Sequence, residues 1–502
     1  MRARTTAILV GLALALAGAA AAQERGMTSA VLLPVADDPS VTFGVWFKAG
    51  SQNDPPGKEG LAFLTGQMLS EASTQRNPYK DILEKLYPLA SGYGIRVDKE
   101  MSTLNGRTHR DNIDKYFELF TDAFLQPAFT PEDFERLKSD QLNYLKNTLR
   151  YASDEELAKA ALHAFVFEGT PYETPPAGTV AGLESITLDD VKAFYAKYYT
   201  RDNAVVALGG SYTKEHQERF EKAVKSLPAG KPAAPPVPVA PPIHGREVLL
   251  VAKPGADASI SFGFPIAVHR GDKDFYALWV ANSWLGEHRN SSSHLYQVIR
   301  ETRGMNYGNY SYIEIFPEGG FRNMPPTNVG RRQQVFEVWI RTLKNDWALF
   351  ALRAAMRELQ DLVDHGMTAE EFELTRSFLT KYSLHYAETT TARLGYAVDD
   401  QFYGLPFSHL EHFRKMMQEL TVDDVNAAIR RHLNSQNLKI AIVTGEAEKL
   451  KELLAADAPT PMTYTSEKPA EVLTEDKQIE SYRLGVRAED IHIVPVEEIF
   501  AK

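Results

Sequence analysis

The 502 residues contain no cysteine, and 55 Lys+Arg against 66 Asp+Glu give a formal net charge of −11. Thiol catalysis, cysteine-based metal sites and disulfide staples are excluded, and a net-negative chain without a Lys/Arg stripe lacks the electrostatic footprint of a nucleic-acid binder. With 44% hydrophobic and 24% charged residues, the chain has the composition of a globular protein and the length for two or more cores.

Met1–Ala22 carries Arg2 and Arg4, an apolar run from Ala7 to Ala17, and Ala20-Ala21-Ala22 before Gln23. This is the layout of a secretory signal, and the run is short for a membrane span. The mature protein is therefore expected to be soluble and exported, to the periplasm.

A first half follows over 31–227. Val41–Lys48 alternates with period two as a strand, and Gly60–Ala72 reads as a helix. Helical spacing recurs over Asn112–Phe124, Asp133–Leu149 and Asp154–Phe167. Thr187-Leu-Asp-Asp-Val opens a further helix through Tyr198, and Ala204–Leu208 is strand-like. Pro228–Pro242 is dense in proline, which removes backbone donors and favours an extended spacer, so 228–246 reads as a linker.

The second half, 247–465, repeats the order. Strands are expected at Ala258–Phe264, Val335–Lys344 and Leu438–Val443, with helices at Phe275–Leu285, His294–Thr302, Phe350–Asp364 and Ala369–Ala387. Thr421-Val-Asp-Asp-Val stands 234 residues after Thr187-Leu-Asp-Asp-Val, and Asn437 stands 234 after Asn203. Thr130-Pro-Glu-Asp-Phe and Thr368-Ala-Glu-Glu-Phe form a second pair at nearly that offset. Each Thr sits where an N-cap precedes a helix with acid in its first turn. Two such pairs at one offset indicate a duplicated domain. The last segment, 466–502, is charged and then strand-like at Ile491–Val496, which suits either a docking tail or a mobile end.

Several segments resemble the pitrilysin/insulinase metallopeptidases. Phe47-Lys-Ala-Gly-Ser-Gln-Asn-Asp54 and Lys58-Glu-Gly-Leu-Ala62 resemble the family's opening strand and the approach to its active-site helix. Pro171-Tyr-Glu-Thr-Pro-Pro-Ala-Gly-Thr179 resembles its loop after the ligand helices, and Arg300-Glu-Thr-Arg-Gly-Met-Asn-Tyr307 its second-domain signature. The resemblance spans about 31–465. It implies an α+β fold of two homologous domains, each an antiparallel sheet covered by helices on one face, arranged as a clamshell around a chamber.

The family's chemistry needs His-x-x-Glu-His on a helix. Two imidazoles four residues apart hold zinc on one helical face, and the Glu takes a proton from the zinc-bound water. Aligned on Gly60-Leu-Ala, this chain has Phe63 at the first ligand position, Gly66 at the base and Gln67 at the second ligand; the family spacing puts Tyr144 at the third. Neither His-x-x-Glu-His nor His-x-x-x-His occurs elsewhere. No metal or cofactor is therefore expected on this chain.

His409-Leu-Glu-His412 is a close His pair with an acid, and a rebuilt metal site there is the rival to a solvated surface turn. His163 reads as a satisfied core residue. The resemblance assigns substrate contacts to Arg300 and Tyr307, an arginine fork for a peptide carbonyl or carboxylate and a hydroxyl near a developing oxyanion. The alternative for Arg300 is an ordinary pair with Glu301. The polar loop Gly286–Ser293 suits a chamber wall or plain surface exposure. Together these readings imply a non-catalytic, peptide-binding subunit that pairs with a zinc-bearing homologous peptidase. The alternatives are an active exported metallopeptidase with a rebuilt site and a stand-alone peptide-binding or structural protein.

Overall fold

The structure, a computed structural model, describes residues 30–502; the signal segment read at Met1–Ala22 lies outside the described residues. The first domain runs β1 (Ala30–Pro34), β2 (Ser40–Phe47), α1 (Leu61–Ser70), α2 (Tyr79–Leu86), β3 (Gly92–Val97), β4 (Ser102–His109), α3 (Ile113–Leu125) and α4 (Pro131–Asn143). A π-helical stretch, Tyr144–Ala152, leads from α4 into α5 (Asp154–Val166), α6 (Val180–Ser185), α7 (Leu188–Tyr198), β5 (Ala204–Gly210) and α8 (Lys214–Lys225).

The second domain runs β6 (Arg246–Ala252), β7 (Ala258–Ile266), α9 (Lys273–Gly286), a π-helical turn at Tyr296–Glu301, β8 (Asn309–Tyr312), β9 (Gln334–Leu343), α10 (Ala348–His365) and α11 (Ala369–Tyr382). It continues with α12 (Thr390–Phe402), α13 (His409–Glu419), α14 (Val422–His432), β10 (Leu438–Thr444) and α15 (Ala447–Ala456). The tail adds α16 (Ala470–Ser481) and β11 (Ile491–Pro495).

The two sheets have one order. The first is β1-β5-β2-β4-β3; the second is β6-β10-β7-β9-β8 with β11 added outside β6. Most pairs are antiparallel, as in Phe43 opposite Gly106, while β1–β5, β6–β10 and β11–β6 are parallel. The four threonines of the repeat are N-caps. Thr130, Thr187, Thr368 and Thr421 each accept from the backbone N–H three residues on, at 3.2–3.3 Å, and the last three close capping boxes.

Both faces of the central strands of each sheet are buried, and the two faces have different owners. In β10, Ile440 and Ile442 join the second domain's own core, whereas Ala441 and Val443 join the core of the first domain. In the first sheet, Phe43, Val45, Val206 and Leu208 face home, whereas Trp46, Val205 and Ala207 pack on Leu394, Val398 and Phe402 of α12. Strand side chains alternate faces, so each strand carries two apolar stripes for two neighbours. α5 of the first domain lies on β7, β9 and β10 of the second; α12 of the second lies on β1, β2 and β5 of the first. These helices, both 13 residues long, occupy equivalent places 236 positions apart in the repeat. The halves of the clamshell thus exchange one helix each.

Polar contacts pin the exchange. His163 on α5 lies 3.2 Å from Glu337 on β9, Arg341 bonds Glu155 at 2.9 Å, and Arg331 meets Asp98 at 2.8 Å. The tail closes a second connection between the domains. After β11 pairs with β6, Phe500 O and Ala501 O accept from Val180 N and Ala181 N, and Ile499 O accepts from both Nε and Nη2 of Arg150. Among the described residues no helix is long and apolar enough to cross a membrane.

Candidate functional site

α1 carries three of the four positions that the metallopeptidase motif would use. Its start is fixed by Asp54, whose carboxylate accepts from Gly60 N at 2.8 Å and Ala62 N at 2.7 Å. Burial pushes the Asp54 pKa up to about 7 in spite of these bonds. Gly60 has φ +104°, and a Cβ there would meet Ala177 O at 2.7 Å, so only glycine lets the Pro171–Thr179 loop close over the helix start. Gln141 on α4 ties both, donating to Gly60 O at 3.1 Å and Ala177 O at 2.8 Å.

Phe63 packs against the first-domain core. Gly66 is pressed onto β3: a Cβ would stand 2.6 Å from Val97 Cγ2 and 3.1 Å from Ile95 Cγ2. The space a general base would need is therefore filled by the sheet. Gln67 Oε1 is buried without a protein partner. Tyr144, 41% exposed, begins the π-helical stretch, and burial together with Glu318 and Glu156 raises its phenol pKa. Glu318 belongs to a second-domain loop that reaches over to the first domain. There Lys159 on α5 donates to Phe316 O at 2.6 Å, Gly320 N donates to Glu156 at 3.0 Å, and Glu318 pairs with Arg96 at 3.6 Å. A phenyl ring, a hydrogen atom, an amide and a phenol do not fit a zinc ion and its base.

Arg300 lies within the π-helical turn Tyr296–Glu301, and Tyr307 stands in the turn before β8. Arg300 pairs with Glu301 at 3.3 Å and lies 5.9 Å from the Tyr296 ring, so the ordinary pairing is present; its Nε is buried without a protein partner. Tyr307 is 77% exposed. Among the described residues no hydrogen bond or ion pair joins either side chain to Phe63, Gln67 or Tyr144. Between the two lies Arg303, which sequence reasoning passed over. Its guanidinium is fully buried, bonding Asp476 at 2.9 Å and Glu475 at 2.8 Å on α16 and Val298 O at 2.7 Å. The tail helix thus buttresses the turn that presents Arg300 and Tyr307.

The reading of His409 and His412 as a solvated surface turn is corrected. His409 is 1% exposed, its Nδ1 is 3.1 Å from Tyr276 OH, and it stacks on Tyr276 and Tyr396. Burial drives its pKa well below the usual imidazole range. The cause is helical register: on α13 His409 shares the buried stripe of Phe413, Met416 and Met417. His412 instead stacks on Phe407 at 4.1 Å. Among the described residues no three His, Asp or Glu side chains are grouped to hold a metal ion.

His163 is half-buried and only partly satisfied: its Nε2 meets Glu337 while its Nδ1 has no protein partner, and desolvation lowers its pKa against the pull of that carboxylate. In the 286–293 loop, burial lowers the His288 pKa to about 4. Its Nε2 lies 2.8 Å from Arg322 O and therefore donates, which leaves Nδ1 to accept from Tyr312 OH at 2.8 Å.

The family model described as Insulinase (Peptidase family M16) matches residues 30–180, and that of the Peptidase M16 inactive domain matches 185–379. The chain belongs to the insulinase family. A relative of this insulinase-family chain, the non-peptidase homolog YmxG of Helicobacter pylori, is 23% identical over 418 residues, 80% of this chain and 88% of the relative. The zinc protease PqqE of the same organism is 26% identical over 257 residues, 49% of this chain and 56% of the relative. The crystal structure of a peptidase M16 inactive domain from Pseudomonas fluorescens superposes with a TM-score of 0.72 at 24% identity, covering 83% of this chain and 96% of that one. The shared fold is the two-domain clamshell.

Proposed function

We propose that this insulinase-family chain is a non-catalytic subunit that binds peptides and pairs with a zinc-bearing homologous peptidase subunit in the exported, periplasmic compartment. The observation that carries the reading is α1: Phe63 and Gln67 replace the imidazoles, and Gly66 is packed so tightly on Val97 that no base fits. Tyr307 supports the peptide-contact part, because it remains exposed on a turn that Arg303 and α16 hold in place. The pairing part is supported by Helicobacter pylori, where a protein named a non-peptidase homologue and one named a zinc protease both resemble this chain.

The test is zinc content by elemental analysis and turnover of a fluorogenic peptide, each measured alone and after mixing with a zinc-bearing homologue. The expected outcome is zinc far below one per chain, no turnover alone, and a gain in the homologue's turnover that Arg300→Ala and Tyr307→Phe reduce. One tightly bound zinc with chelator-sensitive turnover by this chain alone overturns the reading. Peptide binding that survives chelators without any effect on the homologue would leave a stand-alone peptide-holding protein. A metal site rebuilt around His409 has no support from the geometry, since that imidazole is enclosed by Tyr276, Tyr396 and Phe413.

A further inference from the structure

The loop after α9 buries a carboxylate that the function proposed above leaves without a task. Glu287, the C-cap of α9, is 6% exposed, and its Oε2 has no hydrogen-bond partner in the protein. No Lys, Arg or His is among the groups that set its charge: burial pushes its pKa up to about 7, and only the hydroxyls of Ser283 and Tyr386 oppose this. Burying a carboxyl without counter-charge disfavours its ionised form, and such groups cluster where a ligand or reaction uses them.

Glu287 is also one wall of a cavity of about 30 Å³, with Trp279, Tyr312 and Phe316 as aromatic walls and the half-buried Asn282, Glu314 and Pro325 at its rim. Asn282 Oδ1 is a second acceptor without a protein partner. Glu314 is not free, since both its oxygens take bonds of 3.0 Å from Arg270. The neutral His288 is closed off by Tyr312 and Arg322 O. Lys159 shares the Tyr312 ring, at 5.4 Å, but is committed to Phe316 O.

A carboxylate oxygen and an amide oxygen without protein partners, beside aromatic faces, complement a cation with N–H donors better than an anion. The volume selects further. About 30 Å³ takes roughly two waters, which suits a small cationic head such as an ammonium group.

We propose that this cavity binds a primary alkylammonium group, with Glu287 as its counter-ion and Asn282 as its second acceptor. The group has two sources, the lysine side chain of a bound peptide or a free amine. Only the lysine source rests on the peptide-binding function. Neither source needs zinc or a partner subunit, so failure here is separate from failure there.

The experiment titrates the full mature chain with n-butylammonium chloride and, in parallel, n-butanol, following tryptophan fluorescence and thermal shift. A saturable response to the amine and none to the alcohol is expected. Glu287→Gln keeps the shape and removes the buried charge, so it folds, and it weakens the amine by about tenfold or more. Asn282→Ala weakens it in the same direction by a smaller factor. Equal responses to amine and alcohol, no response to the amine, or undiminished binding by Glu287→Gln would each overturn the proposal. Acetyl-Ala-Lys-Ala-amide against its norleucine counterpart then separates the sources. A lysine preference that Glu287→Gln abolishes assigns the cavity to peptides, and butylammonium binding without that preference assigns it to free amines.

Discussion

Gly66→Ala tests the packing that closes the α1 site. The added methyl would stand 2.6 Å from Val97 Cγ2 and 3.1 Å from Ile95 Cγ2. Both neighbours are β-branched and stiff about χ1, and Val97 is only 6% exposed, so neither can swing aside. Overpacking of this kind costs about 1–3 kcal/mol, whereas alanine's better helix propensity returns about 1 kcal/mol. The net expectation is destabilisation by about 1 kcal/mol. In a Val97→Ala background the 2.6 Å contact disappears and only the milder one with Ile95 remains, so the same substitution should be close to neutral, a coupling of about 1 kcal/mol across the double-mutant cycle. Urea midpoints of the four proteins measure it. If Gly66→Ala stabilises the wild-type and Val97→Ala backgrounds alike, the space above α1 is open and the argument that no base fits there is refuted.

Arg303→Ala should be more damaging, about 3 kcal/mol, because it leaves the buried Asp476 with the Tyr464 hydroxyl but without its counter-charge. Hydrogen exchange over 300–307 should rise in the same variant, reporting the loss of the α16 buttress. Stability should also carry a pH signature from Asp54. Its folded pKa, near 7, lies above the unfolded carboxylate value, so the folded chain holds the extra proton between about pH 4 and 7 and stability falls as pH rises through that window. Asp54→Asn should flatten the curve by about 2 kcal/mol, a figure reduced for the side chain's remaining contact with solvent. Denaturation midpoints of both proteins at pH 4, 5, 6 and 7 check the sign.

The duplication and the lost motif were legible because they are local. Four threonines that cap helices sit at two nearly equal offsets, and Phe63, Gly66 and Gln67 occupy one helical stretch that can be aligned by eye. The helix exchange was not legible. Ile440-Ala-Ile-Val443 is apolar throughout, and a continuous apolar strand says that both faces are covered without saying by which element. His409 was misplaced because Ser408-His-Leu-Glu-His412 is polar in composition; the available signal was the stripe it begins with Phe413, Met416 and Met417. Arg303 lay in plain view inside a signature. Its role depends on Asp476, 173 residues away, and no spacing rule reaches that far.

The exchanged helices make each half the completion of the other. A first half released from the second would carry the apolar row of Trp46, Val205 and Ala207 with nothing over it, while its own α5 projected without a surface to lie on. The second half has the mirror problem, with Ala441 and Val443 bare and α12 unsupported. Since the two helices hold equivalent places in a repeat, two copies of one half could trade helices as the two halves do here. The covalent chain with its proline-rich spacer keeps that trade within one molecule, where the effective concentration of the partner is fixed by the linker and not by the cell.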